Sequence, residues 1–211
     1  MTEFFGDIKN YLPQYLSAPT QEKLFAEVKK FPDNIDERLY SQSLLRETAF
    51  FQGDGLHSLW VANLPDTHIG KARVLLLSNS CDMSDENKRL TPRNIFYCLI
   101  VSLAKYREML ANNAKSFSES QLREFIETVR KQQVTQVFFL PQNAQLGEDC
   151  IALLDRISNC DSRACNVPEL VKNRLFVLSN YGFYMFLIKL SIHFTRLREG
   201  LNRDAIVSGN N

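Results

Sequence analysis

The stretch Leu59-Trp60-Val61-Ala62-Asn63-Leu64-Pro65-Asp66-Thr67-His68-Ile69-Gly70-Lys71-Ala72-Arg73-Val74-Leu75-Leu76-Leu77-Ser78 decides the reading of the fold. Its first six residues form an apolar run closed by Pro65-Asp66, and residues 73–78 are rich in Val and Leu. Both runs have the length and composition of short strands. The segment between them, Pro65-Asp66-Thr67-His68-Ile69-Gly70, has turn chemistry at both ends, so a hairpin is the natural join.

Downstream, residues 95–101 supply a third strand of aromatic and β-branched residues. The pattern then changes period. Ser118-Glu119-Ser120-Gln121 reads as a capping box, followed by Leu122, Phe125, Ile126 and Val129 on one helical stripe, so residues 105–133 are expected to be a helical insertion. Strands resume at 134–140, ended by Pro141, and continue at 150–157 and 175–179. About six short strands are enough for a small closed barrel. Phe183, Leu187, Leu190, Phe194 and Leu197 alternate steps of four and three, which predicts a core-facing helix over 183–198, packed on the barrel or at a subunit interface.

Upstream, residues 1–48 are expected to be a helical extension organised as a unit apart from residues 49–211. Thr20 can cap a helix carrying Leu24, Val28 and Phe31 before Pro32 stops it, and residues 36–48 place Leu39, Leu44 and Leu45 at near-helical spacing. The fold class is thus α+β, a small barrel with helical additions.

Composition narrows the function. The 25 Lys+Arg against 24 Asp+Glu leave a net charge of +1, less basic than expected of a protein gripping long duplex nucleic acid. No apolar run approaches the roughly 20 residues that span a bilayer, and the start has neither a basic n-region nor a long apolar h-region, so a cytoplasmic site and no membrane partner are expected. Five cysteines without an export signal read as reduced thiols, and no metal or other cofactor is expected. P-loop, Rossmann, His-Glu-x-x-His and nucleophile-elbow patterns are missing, which argues against the commonest cofactor and hydrolase chemistries.

Gln52-Gly53-Asp54, the strand ending near Leu64-Pro65-Asp66, and Gly70-Lys71-Ala72-Arg73-Val74-Leu75-Leu76-Leu77-Ser78 resemble the opening of the PemK/MazF toxin family; Asp149 through Arg163 resembles a later strand and turn of the same family. The likeness covers about residues 50–200. It implies an SH3-like barrel, a homodimer, and metal-independent cleavage of single-stranded RNA by toxin–antitoxin or phage-defence proteins. That chemistry needs a base for the 2′-hydroxyl, an acid for the leaving oxygen and donors for the charged phosphorane. The family's arginine position falls on Ala72, between Lys71 and Arg73, and its Thr/Ser position falls near Ser102. A one-residue displacement in a strand turns a side chain to the other face unless a bulge intervenes.

The catalytic candidates are therefore Arg73, Ser102 and His68, the last in the hairpin segment where the family contacts RNA. Binding candidates are Lys71, Ser78, Cys81, Asp82, Lys88, Arg89 and Arg93: basic residues clustered between positions 71 and 93, and a hydroxyl, thiol and carboxylate close together after the second strand. Set against a cleft-lining role, the plainer reading makes Cys81 a small buried residue and Asp82 a turn cap. A nucleophilic Cys81 would need a base, and only His57, His68 and His193 are available. Trp60 and Phe96, inside apolar runs, are expected in the core. Two functions stay open: an RNA-binding, RNA-cleaving barrel, and a non-catalytic subunit whose N-terminal helices dock a protein partner.

Overall fold

The computed structural model describes residues 17–63, 68–84, 87, 93–113, 118–164 and 167–195. The alternation and apolar content of the 59–78 stretch place it in two antiparallel strands, β2 (Gly55–Asn63) and β3 (His68–Leu76), with Trp60 opposite Lys71 and Asn63 opposite His68; residues 64–67 of the join lie outside the described residues. Strand β4 (Asn94–Ser102) pairs with β3 only through Val74, Leu75 and Leu76, but with β6 (Cys150–Asp161) from end to end. The sheet is completed by β1 (Tyr40–Ser41), β5 (Val137–Leu140) and β7 (Arg174–Leu178), in the order β1-β7-β2-β3-β4-β6-β5.

This is a curled antiparallel half-barrel, not the closed barrel expected: among the described residues its two edge strands, β1 and β5, do not pair. With two and four residues, those edges offer too few backbone donors and acceptors for a closing ladder.

Strand alternation divides the core into three. One face carries Leu75, Cys98, Ile100, Phe138, Ala152 and Phe176, and it is covered by α1 (Ala18–Val28) through Leu24 and Val28 and by the C-terminal helix through Tyr181, Tyr184, Met185 and Phe186. The opposite face of β2–β3–β4 packs Leu56, Leu59, Val74, Leu76 and Tyr97 together. On β5–β6 the same outward side, Ile151 and Leu153, is covered by α3 (Leu103–Asn113) and α4 (Glu119–Arg130) through Leu103, Ile126 and Val129. The insertion is helical as its pattern requires: Ser118 and Gln121 form the capping box, and Leu122, Ile126 and Val129 are buried.

Three elements differ from expectation. Residues 36–48 are no second helix: a short 3-10 turn, Glu37–Leu39, leads into β1, because the backbone of Tyr40 and Ser41 is drawn out by pairing with β7. Helix α1 begins at Ala18, with Pro19 in its first turn, which puts Thr20 inside rather than at the cap. The C-terminal helix runs from Asn180 to Thr195, and its buried face is Tyr181, Tyr184, Met185, Phe186 and Lys189, while Phe194 is exposed. That helix is apolar nearly all round, so spacing alone cannot say which stripe is buried; Leu197 lies outside the described residues. What selects the face is Gly182: a Cβ there would stand 2.2 Å from the Leu39 carbonyl oxygen, so the helix meets the 37–39 turn at a distance only glycine permits. No helix among the described residues is long and apolar enough to cross a membrane.

Candidate functional site

The face of β3 that carries Leu75 also carries Arg73, Lys71 and Ile69, since alternate residues share a side. Leu75 stands opposite Cys98, so Cys98, Ile100 and Ser102 of β4 lie on that same face. The one-residue displacement of the arginine therefore does not separate it from Ser102. Arg73 is also the single residue facing a bulge: Leu56 pairs with Val74 and Leu59 with Ala72, leaving His57 and Ser58 opposite Arg73 alone. It sits one residue beyond the last β3–β4 pair, where the strands part and a long side chain can reach across.

What it reaches is a carboxylate. Arg73 Nη2 donates to Glu148 Oε1 at 3.2 Å and Nη1 to the Leu146 carbonyl at 3.3 Å, while Ser102 Oγ donates to Glu148 Oε2 at 2.6 Å. Antiparallel pairing explains the meeting: Ser102, the last residue of β4, is opposite Cys150, the first of β6, and Glu148 lies just before it. The preceding turn is held by Asn143, whose side-chain oxygen accepts from the Gln145 and Leu146 amides, and by Gly147, at φ +74°. The hydrogen bond from Ser102 and then that from Arg73 hold the Glu148 carboxyl below its ordinary range. Behind it, burial pushes the Cys150 thiol up to about 11, against the pull of Arg73.

Of this cluster, Ser102 is buried, while Glu148 lines a cavity of about 450 Å³ between α3 and α4, with Asp149 beside it in the wall. Its floor is Leu103, Ala104 and Ile126, and its rim sets the guanidiniums of Arg107, Arg123 and Arg130 against four carboxylates. Arg130 is fixed at 2.5 Å from Asp149 Oδ2, and Arg107 is paired with Glu119. A carboxylate, a hydroxyl and a guanidinium thus meet beside a cleft of ligand size, which the carboxylate of the three lines.

The other candidates are dispersed. His68 is exposed at the first position of β3, five residues or roughly 17 Å along the strand from Arg73. Lys71 is exposed, its Nζ 5.4 Å from the centroid of the Trp60 ring. Ser78 is buried and accepts the Phe96 amide at 2.8 Å, a bond that holds β4 to the end of β3. Cys81 and Asp82 are exposed on the single turn α2 (Ser80–Met83), capped by Asn79, whose side chain accepts the Cys81 amide. Arg93 donates to the Met83 and Ser84 carbonyls and braces the chain after that turn. Lys88 and Arg89 lie outside the described residues. No hydrogen bond or ion pair among the described residues joins Cys81 to a histidine, and none of their His, Cys, Asp and Glu side chains form a group of three or more that could hold a metal ion. Trp60 and Phe96 are not core residues: they are 55% and 48% exposed.

The Gly53-Asp54 pair serves the fold. Gly53 takes φ +88° with Leu178 pressed against the site of a missing Cβ, and Asp54 forms a fully buried ion pair with Arg174 at 3.1 Å. Burial pushes the Asp54 carboxyl up, and Arg174 beside it opposes that shift.

No model of a known protein family matches the chain, and no curated protein matches it. Glu148, the residue that joins Arg73 to Ser102, was not among the sequence candidates. The signal was an acidic pair, Glu148-Asp149, directly before a strand, and its meaning depends on the pairing of β6 with β4.

Proposed function

We propose that the chain is a PemK/MazF-like barrel of the bacterial toxin or defence type that binds single-stranded RNA and cleaves it slowly, without a metal, at Arg73, Ser102 and Glu148. The observation that carries this reading is the convergence of Arg73 and Ser102 on one carboxylate. Glu148 would accept the 2′-hydroxyl proton as the 2′-oxygen attacks the neighbouring phosphorus, with the Arg73 guanidinium donating to the charged phosphorane. The bond to the 5′-oxygen breaks, and Ser102 Oγ–H hands that oxygen a proton while taking one back from Glu148. The products are a 2′,3′-cyclic phosphate and a 5′-hydroxyl, with no water consumed.

Slow turnover follows from the same geometry. A carboxylate held below its ordinary range is a weak base, and Arg73 must loosen its hold on Glu148 to serve the phosphate. The neutralised Arg73 and the net charge of +1 favour a second reading, a non-catalytic subunit that docks a protein through its N-terminal segment. The two separate in one experiment: mixed single-stranded RNA incubated with the protein and a chelator. Cleavage that falls about 10²- to 10³-fold in Arg73→Ala, and also falls in Ser102→Ala, supports the nuclease. Neither cleavage nor salt-sensitive binding would leave the subunit reading.

A further inference from the structure

An exposed tryptophan on a paired strand needs a reason, because burying its ring is worth more than burying almost any other side chain. Trp60 is 55% exposed, yet it is not on a loose segment. Its backbone pairs with Lys71 across the β2–β3 ladder, and its carbonyl accepts the hydroxyl of the fully buried Tyr97 at 2.5 Å. The ring is thus held out to solvent from a fixed base.

Its surroundings say what would cover it. Trp60 stands directly opposite Lys71, so the two side chains share a face, with Lys71 Nζ 5.4 Å from the ring centroid. Arg73 is two residues further along β3 on the same side, roughly 7 Å away, or about one nucleotide of an extended single strand. Beyond Lys71 in the other direction Ile69 is 64% exposed, also on this face. Phosphate-seeking cations beside an open indole are the combination by which proteins hold unpaired bases: the ring stacks on any base, and the cations take the neighbouring phosphates. A protein partner fits this face less well, since lysine is depleted at protein–protein interfaces and here its ammonium lies over the ring.

We infer that Trp60 is a stacking platform for an unpaired nucleobase next to the phosphate addressed by Arg73, with Lys71 on the phosphate between them. The assignment deepens the RNA-cleaving reading of Arg73, Ser102 and Glu148 and rests on it. It gives the substrate a direction along the sheet, from the Glu148 cluster along β3 toward its His68 end.

Trp60 is the only tryptophan of the chain, so its emission reports on this one position. In the test, the protein with chelator is titrated with a twelve-residue oligouridylate and, separately, with a duplex RNA of equal length. The single strand is expected to quench Trp60 saturably and the duplex is not, since its bases are already stacked. Binding followed through a label on the RNA should weaken about 10- to 100-fold in Trp60→Ala and be largely retained in Trp60→Phe, which keeps a stacking face. Lys71→Ala should lessen the slope of log affinity against log salt by about 0.7. If RNA is bound or cleaved in an Arg73- and Ser102-dependent way while wild-type emission stays constant, the platform is refuted and the site reading stands. If no RNA binds at all, both are overturned. Equal quenching by the duplex also refutes the platform, and because the decisive signal comes from the wild-type protein, a poorly folded Trp60→Ala leaves the outcome readable.

Discussion

Two arginine–carboxylate pairs stand on the same sheet at nearly the same distance, and water separates their roles. Asp54 and Arg174 are 3.1 Å apart with both side chains wholly buried; Arg73 and Glu148 are 3.2 Å apart with side chains 25% and 46% exposed. Around the buried pair every direction is protein. Arg174 also donates to the carbonyls of Leu44, Leu45, Glu47 and Ala49, so one guanidinium fastens a whole turn of the N-terminal segment to β7. Around the open pair, Arg73 has one carbonyl besides Glu148, and Glu148 lines a cavity. A buried pair cannot exchange partners without exposing an uncompensated charge, whereas an open one exchanges at little cost. The first is therefore a fastener, and the second can exchange its partners.

The sharpest way to break this comparison is to remove one half of the buried pair. Arg174→Met should cost about 3–5 kcal/mol in urea unfolding, because Asp54 loses the partner that opposes its burial and must take up a proton to stay in the core, and the 44–49 turn loses its donor. Replacing both partners, Asp54→Leu with Arg174→Met, should recover part of that loss. A single substitution costing under 1 kcal/mol would show that water reaches the pair.

Lys189 sharpens the comparison with a third case, a buried cation that among the described residues donates to a backbone carbonyl, that of Gln132. Burial lowers its pKa to about 8 from 10.5. Between those values the unfolded chain binds more protons than the folded one, so this group makes stability rise with pH across that window, by up to roughly 3 kcal/mol in all. The measurement is the difference between wild type and Lys189→Met, unfolded at pH 7 and at pH 10: the substitution should be neutral or stabilising at pH 7 and lose that advantage at pH 10. A difference independent of pH would mean that Lys189 keeps its proton throughout. The smallest effect belongs to the open pair, where Arg73→Ala should change stability by less than about 1 kcal/mol. A larger loss would move Arg73 from the ligand's side of the comparison to the fold's.

Much of the sheet is legible residue by residue. Runs of Val, Leu and Ile bounded by Pro or Gly place six of its strands, and the Ser118–Gln121 box with Leu122, Ile126 and Val129 places the insertion helix and its buried face. What eludes local reading depends on partners distant in the chain. Tyr40 extends because Leu178 lies opposite it, and the 43–46 turns are held by Arg174, about 130 residues away. Trp60 looks like a core residue in its apolar run because its exposure is decided by register: Leu59 faces Leu56 and Val74 in the core, and its neighbour must face the other way. The candidate site divides in the same manner. Arg73 and Ser102 are legible as residue types near strand ends, but Glu148 acquires its place only when β6 pairs with β4.

The central claim is that the open pair acts on RNA, and the nature of the new RNA ends tests it most directly. Single-stranded RNA is incubated with wild-type protein and with Glu148→Gln in the presence of a chelator, and the products are analysed by mass spectrometry. The expected result is slow cleavage leaving 2′,3′-cyclic phosphate and 5′-hydroxyl ends, lost in Glu148→Gln and weakening as the pH falls and Glu148 takes up a proton. Cleavage undiminished in Glu148→Gln, or 5′-phosphate ends, which require a different attacking oxygen, would contradict it.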